Sequence, residues 1–238
     1  MSTVLITGSN RGLGFGLAQE YAAKGANVIA CCRNPATAEP LHHLAASSGN
    51  RVRIIELDVG NEASIASLKR TLGEEPIDIL INNAAIVGPK DQSPTRIDAE
   101  GWITTLRVNA LGPMLLAQAL YDNLRRGGEK KLVAISSRWG CTSLDLPDAR
   151  HRYAYRASKA ALNNGMRALS RDWADNGVLV GILHPGYVWT EAAGPAALAP
   201  PTSVSPRESA RGLMRLIAEL TPATSGDFRS YKGEALPW

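Results

Sequence analysis

The chain has 238 residues, of which 45% are hydrophobic and 20% charged. That composition excludes a disordered or collagen-like chain and supplies enough apolar side chains for a sizeable core. A formal charge of +4, with Lys and Arg scattered along the whole length, gives no reason to expect a nucleic-acid partner. Three cysteines cannot all pair, and there is neither a membrane-length apolar run nor a charged start leading into an apolar stretch. The expectation is a cytoplasmic protein with reduced thiols and no membrane partner.

In chain order, the apolar runs Val4–Thr7, Asn27–Cys32, Val52–Leu57, Ile77–Asn82, Lys131–Ser136 and Val178–His184 are short, β-rich and almost continuous. Continuous runs mark strands buried on both faces. In such a strand the adjacent Cys31 and Cys32 point to opposite sides. Helices are expected over Gly12–Lys24, Pro35–Ser47, Glu62–Leu72, a long stretch within Ala99–Arg126, and Tyr153–Asp175. Ser205-Pro206-Arg207-Glu208 reads as a helix start running to about Leu220, and Asp227–Ser230 as a last edge strand. The alternation predicts a single α/β domain with a doubly wound parallel sheet, Rossmann-type, and helices on both faces. Ala192–Ser205, rich in Ala and Pro, is expected to be a mobile substrate loop within it. The basic residues Arg125, Arg126, Lys130 and Lys131 around Gly127-Gly128 are expected in a solvated loop.

The first strand runs into Thr7-Gly8-Ser9-Asn10-Arg11-Gly12-Leu13-Gly14 and then a helix. Glycines in that place let the backbone approach a pyrophosphate, and the helix start offers it free N–H groups. The second strand ends in Arg33 where dinucleotide folds with NAD carry an acid, and Arg11 lies in the turn itself. Two arginines suit a 2′-phosphate, so NADP(H) is expected over NAD(H). Asp58, after the third strand, is a candidate acceptor for an adenine amino group. Asn82-Asn83-Ala84-Ala85 closes the fourth strand; each of these groups taken alone is equally a turn former.

Tyr155 and Lys159 lie four apart on one helix, hence on one face. A phenol with an ordinary pKa near 10 is a poor acid, and a neighbouring ammonium is expected to lower it. Ser136-Ser137 ends the fifth strand, where a hydroxyl can stabilise negative charge growing on a carbonyl oxygen. Asn109, just before Gly112-Pro113, predicts a local kink that frees a carbonyl. His42-His43, His151 and His184 complete no ligand spacing, and no metal is expected.

Taken together, these residues resemble the short-chain dehydrogenase/reductase family over essentially the whole chain. The motifs follow in order: Thr7-Gly8-x-x-x-Gly12-x-Gly14, Asp58, Asn82-Asn83-Ala84, Asn109, Ser137, Tyr155-x-x-x-Lys159, and Pro185-Gly186 with Thr190. Ala30-Cys31-Cys32-Arg33-Asn34, Ser136-Ser137-Arg138, the run Tyr153–Asn163 and the tail Leu236-Pro237-Trp238 are similar to the C-factor and sniffer-like carbonyl reductase branch. The resemblance implies that Tyr155 is the general acid/base and that Ser137 polarises the carbonyl. Lys159 would bind the nicotinamide ribose and tune Tyr155, while Asn109 would hold a water in a proton relay. It implies cofactor contacts from Gly8, Asn10, Arg11, Gly12, Leu13, Gly14, Arg33, Asp58, Val59, Asn83, Ala84 and Ala85. Further contacts, on the nicotinamide side, would come from Tyr155, Lys159, Pro185, Gly186, Val188 and Thr190.

Two departures stand out. Ala85 replaces a glycine common in relatives, and the interval from Ser137 to Tyr155 is longer than the family's commonest spacing. The extra segment, Leu144–Arg152, is expected to line the substrate mouth with Trp139 and Trp189. The implied activity is hydride transfer between NADP(H) and a small carbonyl or alcohol substrate, in a homodimer or homotetramer. The rival reading is a regulatory protein of the same fold, since C-factor-like relatives are associated with signalling; an intact Tyr155 and Lys159 pair argues for the enzyme.

Overall fold

A computed structural model describes residues 1–146, 151–189 and 200–238. Along the first half run β1 (Thr3–Thr7), α1 (Gly12–Ala23), β2 (Asn27–Cys32), α2 (Glu39–Ser47), β3 (Val52–Glu56), α3 (Glu62–Leu72) and β4 (Ile79–Asn82). Then follow α4 (Ala99–Leu106), α5 (Gly112–Ala119), α6 (Tyr121–Arg126), β5 (Lys131–Ile135), α7 (Tyr153–Asp172) and β6 (Leu179–His184). The chain finishes with β7 (Tyr187–Val188), β8 (Ser203–Val204), α8 (Pro206–Ala218) and β9 (Phe228–Ser230).

Seven strands form one parallel sheet in the order β3-β2-β1-β4-β5-β6-β9. Successive strands step outward from β1 to β3, then return to β4 and step the other way. The carboxyl ends of β1 and β4 therefore flank the switch point, where open α/β sheets bind ligands. Side chains alternate between two cores. Val4, Ile6, Val28 and Cys32 meet Leu17 of α1 and Leu213 and Ile217 of α8, whereas Leu5, Ile29 and Cys31 meet Ile65 of α3, Leu116 of α5 and Leu162 of α7. Burial on both faces is why the strand sequences are apolar throughout. The two edge strands interleave charge, β3 at Arg53 and Glu56 and β9 at Arg229.

Several boundaries differ from expectation. The segment before α2 is a 3-10 turn, Pro35–Thr37, and the α-helix begins at Glu39 with Pro40 in its first turn, where a missing N–H costs nothing. The long stretch 99–126 is not one helix: a π turn, Arg107–Leu111, separates α4 from α5, and Leu120 breaks α5 from α6. Pro113 has no N–H for the Asn109 carbonyl one α-turn earlier, which accounts for the widening. α7 stops at Asp172, with a 3-10 turn at Ala174–Asn176, and α8 stops at Ala218. The basic run is not a solvated loop. Arg125 and Arg126 end α6, and Lys131 is a buried first residue of β5 whose Nζ meets Glu129 at 2.9 Å. The end of the expected substrate loop is also ordered, since Ser203–Val204 pairs with Tyr187–Val188. Positions 147–150 of the Leu144–Arg152 insert, Thr190, and Ala192 to Leu198 with Ala199 lie outside the described residues.

Candidate active site

A cavity of about 1000 Å³ opens at the switch point. Gly8, Asn10, Arg11, Gly12, Leu13 and Gly14 line it from the β1–α1 turn, Arg33 from the end of β2, Asp58 and Val59 from beyond β3, and Asn83, Ala84 and Ala85 from beyond β4. The turn needs its glycines. Gly8 has φ +66°, and a Cβ on Gly14 would stand 2.2 Å from the Gly8 carbonyl oxygen. Asn83 closes the turn from behind. Its Nδ2 donates to the Thr7 and Gly8 carbonyls at 2.8 and 3.2 Å. The main-chain N–H groups of Asn83 and Ala84 both donate to Thr7 Oγ1. The Asn83 side chain is thus engaged in holding the turn, a role its sequence position left open. Asp58 Oδ1 accepts from Gly60 N at 2.9 Å.

These residues fit a dinucleotide. No side chain caps the first turn of α1, so its leading N–H groups face the cavity with the helix dipole behind them. Asp58 is the one carboxylate among the described lining residues, against Arg11, Arg33 and Arg207; Arg11 and Arg33 are both exposed. Arg207, with Phe15, Gln19 and Pro206, was missing from the expectation, whereas Trp189 and Ser203 to Ser205, expected at a substrate mouth, line this cavity. The two-residue strands β7 and β8 carry no periodicity in sequence, and α8 reaches the cavity only because it packs along α1. Glu20 of α1 accepts from Arg207 Nε at 2.8 Å and Arg211 Nε at 2.9 Å.

Asn109, Ser137, Tyr155 and Lys159 do not line that cavity but are brought together beside it. The Ser137 hydroxyl is hydrogen-bonded to the Tyr155 phenol and accepts from Trp139 N at 3.2 Å. The Trp139 ring stands edge-on to that of Tyr155, centroids 5.8 Å apart. Lys159 Nζ lies 5.7 Å from the Tyr155 ring centroid and donates to the Ile135 carbonyl at 2.9 Å. Asn109 sits in the π turn, wholly buried. Its amide bonds both main-chain groups of Ile86, a cavity residue, and donates to Ser158 Oγ on α7 at 3.0 Å. Pro185, Gly186 and Val188 lie off the cavity lining; Pro185 is tied to α8 by Ser209 Oγ at 2.6 Å.

The electrostatics correct one expectation. Burial pushes the Tyr155 phenol above its ordinary value, with the Ser137 hydrogen bond pulling the other way. Burial also brings the Lys159 ammonium down to about 8. Desolvation therefore dominates at the phenol, and the Lys159 ammonium directs its hydrogen bond to the Ile135 carbonyl. His184, at the end of β6, is lowered to about 4 by burial and then by Arg138. Among the described residues no group of three His, Cys, Asp or Glu could hold a metal.

The family model described as short chain dehydrogenase matches residues 2–199. The chain belongs to that family. This short-chain dehydrogenase is an oxidoreductase. It is 37% identical to the C-signal of Myxococcus xanthus, over 68% of its own length and 93% of the relative's. It superposes on an NADPH-bound carbonyl reductase from chicken fatty liver with a TM-score of 0.90 at 30% identity, covering 100% of this chain and 99% of that one. The carbonyl reductase Sniffer of D. melanogaster gives 0.86 at 29% identity, with 100% of both chains covered.

Proposed function

We propose that this short-chain dehydrogenase is an NADP(H)-dependent carbonyl reductase or alcohol dehydrogenase acting on a small-molecule carbonyl or alcohol. The observation that carries the reading is the contact of Ser137 with Tyr155 beside the Lys159 ammonium, at the margin of a cavity that fits a dinucleotide. NADP(H), when bound, supplies or accepts the hydride at its nicotinamide. The protein's part is position and charge. Ser137 holds a carbonyl oxygen against the phenol, and Tyr155 gives that oxygen a proton in reduction or takes it back in oxidation. Lys159 then stabilises the phenolate. The Asn109 amide is fully engaged, so its main-chain carbonyl in the widened turn is what it offers a relay water.

Arg11, Arg33 and the α1 start would hold the phosphates, with Arg33 favouring a 2′-phosphate. Asp58, Val59, Ala84 and Ala85 would border the adenosine side, and Pro185, Gly186, Val188 and Thr190 the nicotinamide side. The whole chain forms one catalytic domain. Three buried, unpaired cysteines suit the cytoplasm, and no helix among the described residues is long and apolar enough to cross a membrane. The family resemblance supports a homodimer or homotetramer, which light scattering distinguishes. Tyr155→Phe is expected to lower NADPH-coupled turnover of a panel of aldehydes, ketones and quinones by about a hundredfold or more, while NADPH binding persists. Unchanged turnover would remove Tyr155 from the mechanism.

A further inference from the structure

The tail that follows β9 folds back and touches α7 and the Cys141–Ser143 segment that leaves the Ser137 turn. Leu236 N donates to the Phe228 carbonyl at 2.8 Å, and Arg229 bridges Ala235, so the tail runs antiparallel along β9. Beyond it the Trp238 carbonyl accepts from Ser143 N at 3.2 Å, Ser143 Oγ at 2.8 Å and Thr142 Oγ1 at 3.3 Å. The Cys141 thiol meets the Pro237 carbonyl at 2.9 Å. On its other side the Trp238 ring lies 4.5 Å under the Arg167 guanidinium, three turns along α7 from Tyr155, and 5.9 Å from Phe228.

We infer that Trp238 is a positioning residue, clipping the Cys141–Ser143 segment to α7 and so setting the spacing of Ser137 and Tyr155 and the shape of the substrate mouth. The chemistry of the clip explains its precision. One carbonyl oxygen collects three donors from two successive residues of the segment that leaves the Ser137 turn, and a guanidinium over an indole face adds a cation–π contact to the helix that bears Tyr155 and Lys159. None of these tail residues lines the dinucleotide cavity. Cofactor binding and carbonyl handling should therefore separate in a tail variant.

The inference rests on the proposed carbonyl chemistry for its kinetic test, and a second readout is independent of it. In Trp238→Ala, KM for the best carbonyl substrate should rise and kcat fall, lowering kcat/KM about tenfold for a misplacement well under an ångström, with the NADPH dissociation constant unchanged. Trp238→Phe keeps a ring beneath Arg167 and should restore most of it. Ser143→Ala, which leaves the tail intact, should move the same parameters in the same direction. Hydrogen exchange at residues 141–146 should quicken in Trp238→Ala while β5 and α7 stay protected. Unchanged carbonyl kinetics in a folded Trp238→Ala protein, an equal loss of NADPH affinity, or unchanged exchange at 141–146 would each overturn the inference. A wild-type protein inactive on every carbonyl would instead defeat the proposed function, leaving the exchange result to decide the clip.

Discussion

At the scale of single residues, chemistry here depends on two charged groups in opposite surroundings. Lys159 is buried, and its ammonium is brought down to about 8. Below that pH the cation is present to hold a phenolate; above it the charge is lost. Carbonyl reduction should therefore be flat towards neutral pH and decline above about 8. Lys159→Arg, whose guanidinium stays protonated, should lose that break even if its overall rate is lower; a break that persists would place the titration elsewhere. Arg33, by contrast, is exposed at the cavity rim. Arg33→Ala should weaken NADPH binding by about tenfold or more, the worth of a charge-assisted hydrogen bond, and NADH binding far less. Isothermal titration with both cofactors checks this, and equal losses would defeat the 2′-phosphate assignment.

At the scale of elements, the decisive joint is the one between the β1–α1 turn and the end of β4. Asn83 Nδ2 donates to two main-chain carbonyls of a turn that Gly14 lets close. Asn83→Ala should cost about 1–3 kcal/mol of stability through the loss of those hydrogen bonds, read from a urea midpoint, and should weaken NADPH as the turn loosens. A stability and affinity both equal to wild type would mean the clamp is redundant. Much of this was legible from sequence, because strand ends punctuated by Gly, Asn and Asp mark a ligand-binding edge in any parallel α/β sheet. The break in the 99–126 stretch was legible only as a kink: Gly112-Pro113 announces a fault but not its π geometry. Lys131 escaped because a basic run normally signals solvent, and its burial depends on Glu129 and on the neighbouring strands. Arg207 escaped because helix-on-helix packing between α1 and α8 has no local signature.

At the scale of the whole molecule, the cavity lies between the two halves of the sheet, with contributions from β1, β2, β3, β4 and α8. A ligand held by so many elements binds the folded chain alone. NADPH at a hundred times its dissociation constant should add about 2.7 kcal/mol of stability, a rise in Tm of about 5–11 °C for a chain of this size, seen by differential scanning fluorimetry. NADH at the same concentration should give less, and identical shifts would speak against any preference between the two cofactors.

The antiparallel tail along β9 has a consequence beyond the site. A parallel sheet ends in two rows of unpaired main-chain groups, and each is a template for another chain. On the β3 side Arg53 and Glu56 make approach unfavourable. On the β9 side the three-residue strand carries Arg229 and is covered by Glu234, Ala235 and Leu236. Stripping that covering would leave a chain still able to fold yet prone to stack on its neighbours, so that self-association, rather than unfolding, would be the first symptom of damage at this margin.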